Sequence, residues 1–199
     1  ISTLADTLYL AVDKKFENQA EYLYSENLNV KIISDIPSGI NDLSNFVETF
    51  ASENDLNILK IGWDAYSNRF LNPPFYKAFY KQLKLPYKYS YKFFEQPTYS
   101  DSENMLTRHL IDVYKIKPQK KIKLIHNEAS DKIYSLNLDT NNGIFVTKDS
   151  DIFNNIFLYR DIAKKVNEIH CINSSFIHFI DRIETDADLY YHNVRGSKL

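Results

Sequence analysis

The chain reads as an α/β protein in two halves, each with a mainly parallel sheet. Three observations predict this. Short apolar runs of strand length alternate with stretches whose apolar residues recur at helical spacing, the pattern of βαβ units. The alternation runs through the first 85 residues, breaks at a proline-bounded stretch and then restarts. Hydrophobic residues fill 44% of the 199 positions, enough for a real core.

Taken in order, Leu8 to Val12 is a short apolar strand. Phe16, Ala20 and Leu23 repeat at i, i+4, i+7 and predict a helix. Val30 to Ile33 is a second strand, and Pro37, Ser38 and Gly39 mark a loop. Leu43, Phe46, Val47 and Phe50 form a helical stripe, and Leu56 to Ile61 reads as a third strand closed by Gly62. Pro73 and Pro74 open a helix carrying Phe75, Phe79 and Leu83 on one face, which Pro86 ends. Residues 86–98 have no helical stripe and carry proline near both ends, so they read as an extended connector between halves at 1–85 and 99–199. Ser100 with Glu103 fits a capping box, followed by a helix through Met105, Leu106, Leu110 and Val113.

The second half restarts with a strand from Ile122 to Ile125, ending in His126-Asn127. Ile133 to Leu138 and Ile144 to Thr147 are apolar enough for strands. Asn142-Gly143 between them is a turn signal, so a hairpin competes with a parallel arrangement there. Ser150 or Asp151 is expected to cap a long helix with Ile152, Phe153, Ile156, Phe157, Ala163 and Val166 inward. An apolar strand at Ile169 to Ile172 follows, then a helix with Phe176, Ile177, Phe179, Ile180 and Ile183, and a final strand at Leu189 to Tyr191.

Composition excludes several classes of function. A net charge of −2 gives no support to a nucleic-acid binder, which needs a basic surface. One cysteine, Cys171, rules out an internal disulfide framework and a multi-cysteine zinc site. No apolar stretch approaches the roughly 20 residues of a membrane span, so a reduced, cytoplasmic setting is expected. Four glycines and no G-x-G-x-x-G or Walker pattern count against a Gly-rich phosphate loop. The many Tyr and Phe, alongside Asn, Lys and Ile, read as a compositional bias of the source genome ahead of an aromatic binding surface. Asp186 and Asp188 lack partners at metal-ligand spacing, so neither a metal nor a cofactor is expected.

The candidate site is the turn Asn173-Ser174-Ser175, between the strand at Ile169 and its helix. The free amides of such a helix start favour a phosphate or other anion. His178 lies four residues after Ser174, on the same side and off the apolar stripe. Docked on the amides of Ser175 and Phe176, an anion would take hydrogen bonds from Ser174, Ser175 and His178. In a parallel sheet, His126 ends on the same edge, where open α/β sheets bind ligands. His192 and Arg195 follow the last strand, and Arg195 is placed to reach a phosphate. The competing readings are a plain N-cap by Asn173 or Ser174, a solvated His178 and an ordinary loop histidine at 126. Trp63-Asp64, Arg69, Asp181-Arg182 and the lysines at 117, 120, 121 and 123 read as ordinary loop or surface residues.

Asn173-Ser174-Ser175-Phe176-Ile177-His178 resembles, at the same spacing, the Asp-Ser-Gly-x-x-His turn of heptosyltransferase-type glycosyltransferases with the GT-B fold. Asn173 stands in place of that family's Asp, and Ser175 in place of its Gly. The strand ending at His126 is similar to the first strand of the family's C-terminal half, and residues 1–85 are similar to its acceptor-binding half. The resemblance implies two Rossmann-like halves around a cleft. It also implies transfer of a sugar from a nucleotide-sugar donor to a glycan or lipid-linked acceptor, with Asn173, Ser174, Ser175, His178, His126 and Arg195 around the diphosphate. The family's Gly-Asp loop, which supplies its catalytic carboxylate, has no match here. It is expected before Ile1, leaving Leu8 to Val12 as the family's second strand and no catalytic base to name. A non-catalytic module binding a nucleotide or glycan is the rival expectation.

Overall fold

In a computed structural model, which describes residues 6–36, 40–59, 61, 75–130 and 132–194, the chain is an α/β protein with two parallel sheets. It divides into two compact units, residues 1–97 and 98–199.

The first unit pairs β1 (Leu8–Ala11) in parallel with β2 (Val30–Ile33), Leu8 opposite Val30 and Ala11 opposite Ile33. Between them a single 3₁₀ turn, with Asp13 accepting from the amide of Lys15, leads into α1 (Glu17–Tyr24). After β2 comes α2 (Ile40–Glu53), whose Phe50 packs edge-on against Tyr9 at 5.4 Å. The expected strand at Leu56 to Ile61 is absent among the described residues: 56–59 and 61 are irregular, with Ile58, Leu59 and Ile61 exposed. An apolar run of strand length also needs a neighbouring ladder, and none of the described strands supplies one. Gly62, Trp63, Asp64, Arg69, Pro73 and Pro74, like the loop at Pro37 to Gly39, lie outside the described residues. Next comes α3 (Phe75–Gln82), then α4 (Tyr89–Lys92), which occupies the stretch expected to be extended. Tyr89 and Phe93 meet there at 5.0 Å, an i, i+4 contact that only a helical turn brings together.

Scarcity of glycine leaves a mark on the helix ends. α2, α3 and α5 (Ser100–Val113) all end with a left-handed residue that is not glycine: Asp55, Lys84 and Lys115, with φ of 52°, 56° and 49°. In each, the next amide bonds back to the carbonyl five residues earlier: Leu56 to Ala51, Leu85 to Tyr80 and Ile116 to Ile111. That is the Schellman closure, with an apolar residue after the left-handed one.

The second unit holds most of the buried apolar residues. Its sheet orders the strands β4 (Gly143–Phe145), β3 (Lys123–His126), β5 (Glu168–Ile172) and β6 (Asp188–His192), all parallel. Adjacent residues Leu124 and Ile125, and the whole run Ile169 to Ile172, are buried, so β3 and β5 are covered on both faces. Leu106 and Leu110 of α5 join this core, as do Leu158, Tyr159, Ile162 and Ala163. Cys171 is fully buried, and desolvation pushes its thiol pKa up, so it is an inert core residue.

Several local expectations are corrected here. Ser100 and Glu103 form no capping box. Tyr99 holds the N-cap position without a side-chain bond, and the Glu103 carboxylate pairs with Arg160 at 2.5 Å. Ile133 makes only an isolated bridge to Glu128, and the rest of 133–138 is irregular. Asn142-Gly143 turns the chain into a parallel β4, not a hairpin. The long helix after Ser150 does not form. Asp151 draws the amides of Phe153 and Asn155 onto its carboxylate, Asn154 turns left-handed at φ 48°, and Asn155 caps a 3₁₀ turn (Ile156–Tyr159) that runs into α6 (Arg160–Ala163). Side chains that bond nearby amides compete with helix, and two of them, Asp151 and Asn155, lie within five residues.

Gly143 sits where a side chain has no room. A Cβ there would lie 2.8 Å from the carbonyl oxygen of Thr140 and 2.9 Å from Ile125 Cδ1. The oxygen is fixed by the turn, since it accepts from the Gly143 amide at 3.0 Å. Gly143→Ala is therefore expected to cost about 1–3 kcal/mol, read as a lowered denaturant midpoint. An unchanged midpoint would show that the turn yields freely.

Candidate functional site

From β3 the chain passes to β4 on one side, then returns across β3 to β5 and β6 on the other. The strand order therefore reverses between β3 and β5. In open α/β sheets the loops leaving the two strands at such a reversal diverge, and the carboxyl ends there are the usual ligand position.

Two of the candidate residues meet at that point. His126 ends β3 and Ser174 follows β5, and Ser174 Oγ lies 3.3 Å from His126 Nδ1. The N-cap reading of this hydroxyl does not hold: Ser174 occupies the N-cap position of α7 (Ser175–Ile180) but makes no side-chain capping bond. His126 is stacked on Phe176, with ring centroids 4.9 Å apart at 17°, and Phe176 is wedged in turn against Tyr159. Burial in this aromatic setting lowers the His126 pKa to about 4, against a weaker opposing pull from Glu128. The ring is neutral at pH 7, so it offers a hydrogen bond and no charge.

Beside it, Asn127 is nine-tenths buried. Its amide nitrogen donates to the carbonyl of Tyr134 at 2.8 Å, while Oδ1 has no partner among the described residues. A buried acceptor without a donor is unusual in a folded protein.

The other candidates are placed less centrally. Asn173 is half-buried and Ser175 exposed at the start of α7. His178 is half-buried, while Phe176, Ile177, Phe179 and Ile180 form the covered face. Desolvation, and then the guanidinium of Arg182, hold the His178 pKa below its ordinary value. Arg195 lies outside the described residues. The lysines at 117–123 serve local structure. Lys121 pairs with Glu168 at 2.5 Å and Lys123 with Asp139 at 3.1 Å, while Asn142 gathers the carbonyls of Lys117, Lys120 and Lys121. Among the described residues, no group of three or more His, Cys, Asp or Glu is arranged to hold a metal ion.

Sequence reasoning missed a polar line across β5 and β6. Glu168 Oε2 lies 3.3 Å from His170 Nε2, and His170 Nδ1 lies 3.0 Å from His192 Nε2. Tyr190 stacks on the buried His170 at 4.7 Å. The Glu168 carboxylate, held ionised first by its bond to Lys121, requires the proton of His170 on Nε2. His170 Nδ1 then accepts from His192 Nε2–H, which leaves His192 Nδ1 as an acceptor at the carboxyl edge of β6. The signal was present as a period-2 alternation, 168–170 on one strand and 188–190–192 on the next, hidden inside apolar runs.

Comparison with family models, with curated proteins and with solved structures returns no match to this chain. No described helix is long and apolar enough to cross a membrane.

Proposed function

We propose that the 98–199 unit binds the diphosphate of a nucleotide sugar at the mouth between β3 and β5, within a GT-B-like glycosyltransferase of two Rossmann-like halves. The observation that carries this reading is the contact of His126 with Ser174 at the point where the strand order reverses. Ser174, Ser175 and Asn173 would supply hydroxyl, amide and amide-side-chain donors to the phosphate oxygens, with His178 one turn on. Arg195 would add the charge that neutral His126 lacks. The unpartnered Oδ1 of Asn127 suits a sugar or ribose hydroxyl. Donors fixed in place before the reaction would stabilise charge as it grows on the departing diphosphate. A glycan or lipid-linked acceptor must also lose a proton. His192, oriented through His170 and Glu168, is the described imidazole arranged to take it.

One observation favours a second reading, a nucleotide- or glycan-binding module without transfer. Asp13, the carboxylate just beyond β1, accepts from the amide of Lys15 and pairs with its ammonium at 3.0 Å, which holds its pKa down and makes it a poor base.

Thermal unfolding with nucleoside diphosphates and their sugars tests the site. A ligand present at about 100 times its Kd adds about 2.7 kcal/mol of stability. Ser174→Ala is expected to weaken such a ligand about tenfold, through loss of a hydrogen bond to a charged group. No shift with any nucleotide, or an equal shift after Ser174→Ala with Ser175→Ala, would remove the proposed site. Binding without release of sugar or transfer would select the second reading.

A further inference from the structure

We propose that residues 75–94 form a docking surface for an anionic lipid bilayer. This segment carries Lys77, Lys81, Lys84, Lys88 and Lys92 and no Asp or Glu, while the remaining 179 residues carry 19 Lys and Arg against 26 Asp and Glu. The positive charge is thus local, on a chain that is acidic elsewhere. Lys77, Lys81 and Lys84 follow one another at i, i+4 and i+7, along one face of α3 and its last turn. With Tyr80, Pro86 and Tyr87 they line a shallow open depression. Lys88 and Lys92 repeat the i, i+4 spacing at α4. Among the described residues none of the five forms an ion pair with a carboxylate, so their charge is available to a partner.

Aromatic rings join the two lysine rows. Tyr87 contacts Tyr76 and Tyr80 of α3, each at 5.4 Å, and Tyr91 of α4 at 5.8 Å. The Lys77 ammonium lies over both Tyr76 and Tyr87, at 5.4 and 5.3 Å. Tyr91 is 46% exposed and Phe93 60% exposed.

Charge and ring geometry together select the occupant. Lysine is a compact, hydrated point charge on a flexible stem, suited to a fluid field of headgroups, whereas a fixed phosphate geometry favours the arginine fork. Tyr and Phe side chains sit well at headgroup depth, with an apolar body and, in Tyr, a polar tip. Nucleic-acid binding would call for open ring faces on which bases stack. Here Tyr87 meets both Tyr80 and Tyr91 edge to face, which commits its ring to them. The surface lies within the 1–97 unit and does not depend on ligand binding at the β3–β5 mouth.

Sedimentation of the full chain with vesicles tests the proposal. Binding is expected to equimolar phosphatidylcholine–phosphatidylglycerol vesicles, to weaken with added salt, and to be absent with phosphatidylcholine alone. Each lysine near such a surface changes partitioning about fivefold, so Lys81→Glu with Lys88→Glu and Lys92→Glu is expected to weaken it at least about 100-fold. Tyr91→Ala with Phe93→Ala, which keeps every charge, is expected to weaken it about tenfold. Lys117→Glu with Lys120→Glu and Lys132→Glu, the same change in net charge elsewhere, should leave it unchanged. No binding to anionic vesicles, equal binding to neutral ones, equal loss in the variant at 117, 120 and 132, or tighter binding to a single-stranded RNA oligonucleotide would each overturn the proposal.

Discussion

Arg160→Met is expected to destabilise the 98–199 unit by about 3–5 kcal/mol, the usual cost of leaving one partner of a buried ion pair alone. Arg160 grips Glu103 with two donors: Nη2 at 2.5 Å from Oε1, and Nε at 3.2 Å from Oε2. Glu103 is only 4% exposed, so its carboxylate has little access to water when the guanidinium is removed. The pair ties α5 to α6, two neighbouring elements that bury Leu106, Leu110 and Ile162. Desolvation of both charges offsets much of their attraction, and this makes the test sharp. Glu103→Met alone should also destabilise, whereas Glu103→Met with Arg160→Met should recover most of the loss. Denaturant midpoints of the three variants complete the double-mutant cycle. Additive losses in the double variant would show that the two side chains do not act as a pair.

The second large effect is a pH dependence that arises from His126. Burial lowers its pKa from about 6.5 in the unfolded chain to about 4 in the fold. Between those values the unfolded chain binds a proton that the folded chain refuses. Stability therefore falls as pH drops through this window and is unaffected by this group well above 6.5. At 1.36 kcal/mol per pKa unit, the loss is about 3 kcal/mol once the pH is below about 4. His178 shifts in the same direction, so the parent curve alone does not isolate His126. The difference between the parent and His126→Asn does. The parent should lose about 3 kcal/mol more than the variant between pH of about 8 and about 4, in denaturant titrations that follow the 98–199 unit. Parallel curves for the two proteins would show that His126 is not the group refusing the proton. Phe176 sets the effect, since its ring covers the imidazole face, and the same covering leaves a ligand to find its positive charge elsewhere.

These residues show how far the sequence carries. Strands with uninterrupted apolar runs and helices with a regular stripe were legible: β1, β2, β3, β5 and β6, and the bodies of α1, α2, α3 and α5. Burial dictates such patterns directly. That His126 and the Ser174 turn share one edge followed from sequence, because a parallel sheet brings all strand ends together; that they touch depends on β3 and β5 being neighbours, which no local pattern reveals. What failed was decided by competition for hydrogen bonds. Ile152 to Val166 keeps a helical stripe, yet Asp151, Asn154 and Asn155 divert the backbone before a helix can start. Glu103 had the right spacing to cap its helix, but an arginine 57 residues later holds it instead. Leu56 to Ile61 lacked a neighbour, which no local pattern reveals.

The placement of β3 has a consequence for synthesis on the ribosome. Lys123 of this central strand pairs with Glu168, 45 residues later. At about 5–20 residues per second, β3 waits roughly 2–9 s with that edge unpaired. For the first part of that interval Leu124 and Ile125 have no strand beside them, and after it only the three-residue β4. A nascent chain stalled before Glu168 would present an apolar, half-paired strand to its surroundings, and chaperone demand should be greatest there.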